Sequence, residues 1–293
     1  MQRPNWIAAA ALTRLAAVGL GFAFGMYFVL TSLYRDAPLW SVWAALAVAL
    51  TTAAGAVFGY GLDRWAELLT LHPVRVRDVA TPVAVIATVT LLLLLTSTRL
   101  PGPAQSTWRS VALLTFPILG GVPAAGVMYG VRRAAGDESV PDLKGEQVAL
   151  LVALRQLLQR LLAAIGSLVA LSTLATAAVL ALQRSVPVGP GRSGAAVPPP
   201  QVVLVGGGLG SLLVGLFYVP AATALQRRGR GLCDELFPLA KADEASAILS
   251  LAEDRNKLGQ LLGIDHGVVA DLQTGLAILG PLLASAAATF LPH

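Results

Sequence analysis

Asp271 is the one ionisable side chain that falls inside a long apolar run of this 293-residue sequence. A carboxylate in a medium of low dielectric is a candidate proton or cation site, because its charge is costly there unless something meets it. Its position suggests a plainer role. Leu272–Leu291 supplies 20 apolar-rich residues without it, which leaves Asp271 at the headgroup level, in the first turns of a helix where the macrodipole favours an acid.

A second chemistry is available to backbone rather than side chains. The stretch TFPILGGVPAAG carries Pro117, Gly120, Gly121 and Pro123, and a later run carries Gly206, Gly207, Gly208 and Pro220. Proline removes a helix donor and crowds the preceding turn, so a kink or an unwound segment is expected at each site. Freed carbonyls and N–H groups in paired, interrupted membrane helices line the solute sites of transporters. The plainer alternative is that Gly and Pro are common in such helices and neighbouring helices absorb the distortion. Gly206–Gly210 is as glycine-rich as a phosphate-binding loop, but no Lys-Ser/Thr follows and no strand precedes it, so phosphate binding is not expected there.

Conventional catalytic and metal-binding patterns are not found. His72, His266 and His293 are scattered, and neither HExxH nor GxSxG occurs. Cys233 is the sole cysteine, so no intrachain disulfide forms. It follows Arg227, Arg228 and Arg230, a setting that suits a lipidated thiol, although a small residue at an interface is the simpler reading. The sequence therefore leads us to expect a non-enzymatic protein with no cofactor and no metal.

The elements that carry these residues follow from composition. The chain is 56% apolar and 13% charged, with a mean hydropathy of +0.71. Soluble domains carry about 25% charged residues, so hydrocarbon is the fitting solvent. Seven segments each supply about the 20 apolar residues that a helix needs to cross a bilayer: 15–34, 41–62, 79–98, 110–131, 161–183, 201–226 and 267–291. They are twice the length of barrel strands and do not alternate, which leaves helices as the way to satisfy their backbone in lipid. The expected fold is thus all-α, a multi-pass transmembrane bundle forming one membrane domain, with amphipathic helices at 143–160 and 243–262. On the first of these, Arg155, Gln156, Gln159 and Arg160 would mark the wet face.

Lys and Arg counts set the expected orientation. With the N-terminus in the cytoplasm, 16 of the 21 basic residues lie on the inner side, and the C-terminus is extracytoplasmic. Trp6, Trp40, Trp43, Trp65 and Trp108 fall near the ends of spans, where rings sit at the headgroup level. The net charge of +5 would raise nucleic-acid binding in a soluble chain. Here it is read as membrane topology, so no nucleic-acid partner is expected. The Arg-, Ala- and Gly-rich composition suggests a GC-rich bacterial genome and hence an inner, plasma-type membrane.

Small-xxx-small pairs recur at Gly21/Gly25, Gly55/Gly59, Gly126/Gly130 and Gly206/Gly210. Such pairs let helix backbones approach closely, either within one bundle or between two copies of the chain in a homo-oligomer. The inner loops hold nearly all the charge and amphipathic length. The leading expectation is therefore a membrane anchor, subunit or effector that meets a cytoplasmic protein through 143–160 and 227–266. The alternatives are a transporter or pore for a small or lipid-like solute through spans four and six, and then an intramembrane lipid-modifying enzyme.

Overall fold

The computed structural model describes residues 6–32, 35–71, 82–90, 104–136, 143–185, 201–238 and 244–264. Among them the chain is all-helical: α1 (Trp6–Leu30), α2 (Trp40–Leu71), α3 (82–90), α4 (Ala104–Gly136), α5 (Lys144–Ser185), α6 (Gln201–Leu236) and α7 (Ala245–Leu262). Among the described residues, four helical stretches are long and apolar enough to cross a membrane, namely Ala11–Leu30, Trp40–Leu69, Lys144–Arg184 and Gly207–Leu236. Several long apolar helices of this kind mark a membrane protein. The expected seventh span, with Asp271, lies outside the described residues, and the expected third is described only over 82–90.

The outside of the bundle is apolar. Leu12, Leu15 and Leu20 of α1 are 67–71% exposed, and Leu212 of α6 is 69% exposed. A contiguous apolar surface of this extent is disfavoured in water and matches hydrocarbon. The inside is packed by leucine, alanine and valine, and Leu154, Leu161, Val127, Met128 and Ala221 are fully enclosed.

Glycines fix the register between helices. On the α1–α2 pair, a Cβ on Gly21 would overlap the Thr51 carbonyl oxygen, and one on Gly55 would overlap that of Ala17. Gly25 meets Val48 and the Thr51 hydroxyl, and Gly59 meets Arg14, so the pair is antiparallel and in backbone contact. Tyr27 O accepts a hydrogen bond from the Thr31 hydroxyl, Ser32 Oγ accepts one from Trp40 Nε1 at 2.9 Å, and Arg35 donates to Leu30 O. Together these close the turn between the two helices.

On the α2–α4 pair the contacts rise together: Ala54 with Gly120, Gly61 with Pro123 and Ala124, Leu68 with Gly130. These two helices are therefore parallel. α5 and α6 are antiparallel, with Val169 against Gly210, Thr173 against Gly207, and Lys144 paired with Glu235 at the far end. α4 packs against α2, α5 and α6, and α5 packs against α2, α4, α6 and α7. Phe24 of α1 stacks on Phe116 of α4 with ring centroids 4.5 Å apart.

One expectation needs correcting. α4 runs unbroken through Pro117, Gly120, Gly121 and Pro123, and α6 runs unbroken through Gly206, Gly207, Gly208 and Pro220, so neither has an unwound segment. The neighbouring helices brace the weak points: Gly120 rests on the Ala54 backbone and Pro123 on Gly61. Beyond the expected spans 41–62 and 201–226, α2 and α6 continue as helix to Leu71 and Leu236. Polar residues beyond the apolar run still form i→i−4 hydrogen bonds, and partner helices cover their inner faces.

Candidate functional site

The functional candidate is one end of the bundle, where the described charges collect. α1 and α2 bring Arg14 to Asp63, and α4 ends there with Arg132 and Arg133. Residues 137–143 join it to the start of α5, so the starts of α5 and the ends of α4 and α6 lie together. Arg35, Asp36 and Arg184 lie at the opposite end.

At α5 the apolar run 161–183 is preceded by an extension from Lys144, all within one 42-residue helix. At about 1.5 Å per residue that helix is ~63 Å long, roughly twice the ~30 Å hydrocarbon core of a bilayer. α6 extends beside it. Lys144 forms an ion pair with Glu235, so the two extensions are tied at their tip.

α7 docks across both. Leu262 is buried, Leu258 and Ile264 are partly buried against the core, and a Cβ on Gly229 of α6 would touch Ile264. Arg255 pairs with Asp234 of α6 at 2.5 Å. The helix ends on Gly263, whose φ of 60° is left-handed. Gly263 N–H donates to Gln260 O at 3.0 Å and Ile264 N–H to Gly259 O at 2.9 Å, which is the Schellman arrangement. Arg155 of α5 donates from Nη1 to Leu262 O, so a cation meets the negative end of the α7 dipole.

Arg155 thus departs from its expected place on the wet face. Gln156, Gln159 and Arg160 are exposed, whereas Arg155 turns inward to a cleft lined by Leu151, Leu158, Gln159, Tyr218, Gln226 and Leu262. Its solvent-facing alternative loses to a charged hydrogen bond with an otherwise unpaired helix-end carbonyl. Cys233 also departs from one of its readings. It is 3% exposed within the core cluster, which removes it from reach of a lipid-attaching enzyme.

Three features of the site were not anticipated. Asp63 is nearly buried and is held by Arg14, whose own side chain is half-exposed. The signal was present: an acid and a base each sit one residue outside an apolar run, on helices carrying matched glycine pairs. Arg64 lies over the Tyr60 ring at 4.8 Å and pairs with Glu67. Arg132 and Arg133 both lie 5.8 Å from the Tyr129 ring centroid.

The outward face of α7 carries Glu253 and Lys257, 2.9 Å apart at an i,i+4 spacing. The hydrogen bond from Lys257 and its charge hold the Glu253 carboxyl below its ordinary value, and Glu253 in turn raises Lys257. A depressed carboxylate adds stability above its ordinary value of 4.5 and loses it as the pH falls through the folded value. A raised amine adds stability below 10.5 and loses it as the pH climbs through its folded value. The pair should therefore support α7 across neutral pH and fade on acidification below about 4.5, slightly and less so in high salt. Amide exchange of α7 across a pH series tests this. Glu253→Gln should flatten the acid limb, and an unchanged limb refutes the assignment.

Chemically, the site offers guanidinium groups, amides and a phenol. Among the described residues no cluster of three His, Cys, Asp or Glu stands ready for a metal ion. Comparison with known protein families, with curated proteins and with solved structures finds no match to this chain.

Proposed function

We propose that the protein is a seven-span membrane protein whose charged end faces the cytoplasm, and that it works as a non-enzymatic anchor, subunit or effector there. The observation that carries this reading is the layer built by α5, α6 and α7. Two helices continue past their apolar runs, are tied by Lys144–Glu235, and receive a third helix clamped by Arg155 and Arg255. Such an ordered extension gives a soluble partner a firm polar surface. Its outward face carries Glu253, Asp254 and Lys257 beside the exposed Leu249 and Leu261.

The helix register supports the span count. Because α2 and α4 are parallel neighbours, the intervening chain must travel back along their length, which suits a third span at 79–98. The chain leaves α7 at the charged end, and 267–291 is long enough to recross. The basic surplus at that end supports a cytoplasmic location through the positive-inside bias.

Deleting 243–262 should remove the protein's cytoplasmic cross-linking partners while the remaining bundle stays folded in detergent. Retention of every partner sinks the effector reading. In a Cys233→Ala background, Asp36→Cys should react with an impermeant maleimide in intact cells, and Asp254→Cys only after permeabilisation. The reverse pattern overturns the orientation.

A further inference from the structure

Among the four described spans α6 is the least enclosed. Of its most apolar stretch 17% is buried, against 44% in its neighbour α5 and 50% in α2. The uncovered residues share one face. Gly208, Leu212, Gly215, Val219, Thr223 and Arg227 recur at spacings of three and four, which sets them in a row along the helix. Gly208, Leu212 and Arg227 are exposed, and the other three are partly exposed. Nothing lies within 4 Å of a Cβ at Gly208 or Gly215, so a neighbour could approach closely there. Arg227, at the inner end of the row, pairs with no carboxylate among the described residues.

The chain itself supplies an occupant. Ile264 is the last described residue, and it lies against Gly229 of α6. Two further residues advance the chain by at most ~7 Å, less than the ~8–10 Å between the axes of packed helices. A span that starts at 267 therefore starts beside α6 or α5, and of the two α6 has the open face. The segment 267–291 also has a side suited to protein. Asp271, Thr274, Ile278, Leu282, Ser285 and Thr289 recur at spacings of three and four, and they include four of its five polar side chains. In a membrane helix such groups turn from lipid towards a neighbouring helix.

Taking the chain as seven-spanning, the reading proposed above, we propose that 267–291 packs antiparallel along this face of α6, with Asp271 paired to Arg227. Equal rise from the contact of Ile264 with Gly229 brings Asp271 near the turn that holds Thr223, the next turn outward from Arg227. Side chains lean towards the N-terminus of their own helix. On antiparallel helices Arg227 then leans into the membrane and Asp271 leans out of it, so the two converge at the inner headgroup level. The acid is half of a structural ion pair that fixes the last span, and not a free proton site.

The test uses the full chain in membranes, with Cys233→Ala and a protease site inserted between Pro238 and Glu244. Leu212→Cys is combined in turn with single cysteines from 278 to 286 and oxidised. Disulfides that hold the two fragments together should form at 278, 282 and 285 and fail at Ala284, on the opposite side. The same series against Leu20→Cys, on the outward face of α1, should give none. Asp271→Arg should lower the Tm in detergent, and adding Arg227→Asp should recover most of that loss. Three results overturn the proposal: no periodic cross-linking to Leu212→Cys, cross-links to Leu20→Cys instead, or no recovery in the charge swap. Disulfides only between copies also overturn it and assign the face to a second copy of this chain. His293→Cys with an impermeant maleimide separates these failures from failure of the seven-span reading. Labelling in intact cells upholds that reading, and labelling only after permeabilisation removes it and the proposal together.

Discussion

Gly55→Leu should pull α1 away from α2 and cost the bundle ~3 kcal/mol or more, at the upper end of what overpacking does in close-packed interiors. The Cβ of any residue at Gly55 would overlap the Ala17 carbonyl oxygen, a backbone atom that no rotamer change can move aside. Gly21 is the reciprocal position, against the Thr51 carbonyl oxygen. The helices would have to separate, and separation forfeits the dispersion contacts that hold membrane helices together where no hydrophobic effect acts between them. α1 has little else to hold it, since its outward leucines face away from the protein and its main packing partner is α2. The internal control is Gly19→Leu. Nothing lies within 4 Å of a Cβ at Gly19, so leucine there should be tolerated. Thermal unfolding in detergent distinguishes the two variants. A Gly55→Leu protein as stable as Gly19→Leu would mean that the α1–α2 interlock does not exist in the form described.

Gly263→Val should release α7 from the bundle without unfolding the spans. Three costs fall on one residue. The left-handed φ of 60° is strained for any residue with a Cβ and most of all for a branched one. The new Cβ would occupy the space of the Arg155 guanidinium. Displacing that group then breaks its bond to Leu262 O, a charged hydrogen bond worth ~1.5–3 kcal/mol. Together with ~1–2 kcal/mol for the backbone strain, this approaches what the buried Leu262 and the partly buried Leu258 and Ile264 can supply. Hydrogen exchange should therefore show rapid exchange of the Ala245–Leu262 amides, with α5 and α6 still protected. Arg155→Leu should act in the same direction more weakly, since it leaves the Schellman turn intact. Unchanged protection of α7 in both variants would show that the leucine contacts alone seat the helix.

Some elements were legible in the residues by simple addition. The helical class follows from runs of about 20 apolar residues, because lipid forbids unpaired backbone and leaves few alternatives. The amphipathic stretch 243–262 showed its period, and α7 occupies Ala245–Leu262. Glycine pairs announced close helix approach, and Gly21, Gly25, Gly55 and Gly59 indeed meet a neighbouring helix of the same chain. Other features were not legible. Pro117 and Pro123 signal a weakened helix locally, but whether the helix opens depends on what braces it, and Ala54 and Gly61 are more than fifty residues away in the chain. The length of α2 and α6 past their apolar runs was likewise hidden, because hydropathy marks where lipid ends and not where a helix ends.

By itself, then, the order of residues determined the medium, the helices and the gathering of charge towards one side, since each of these depends on local averages of hydropathy and charge. Only the tertiary structure decided the pairings: Arg14 with Asp63, Arg155 with the end of α7, two arginines around Tyr129, and α2 parallel to α4. Those depend on which of many chemically equivalent arginines, glycines and leucines come within contact distance. That choice is made by the packing of whole helices at once, and no local window of the chain contains it.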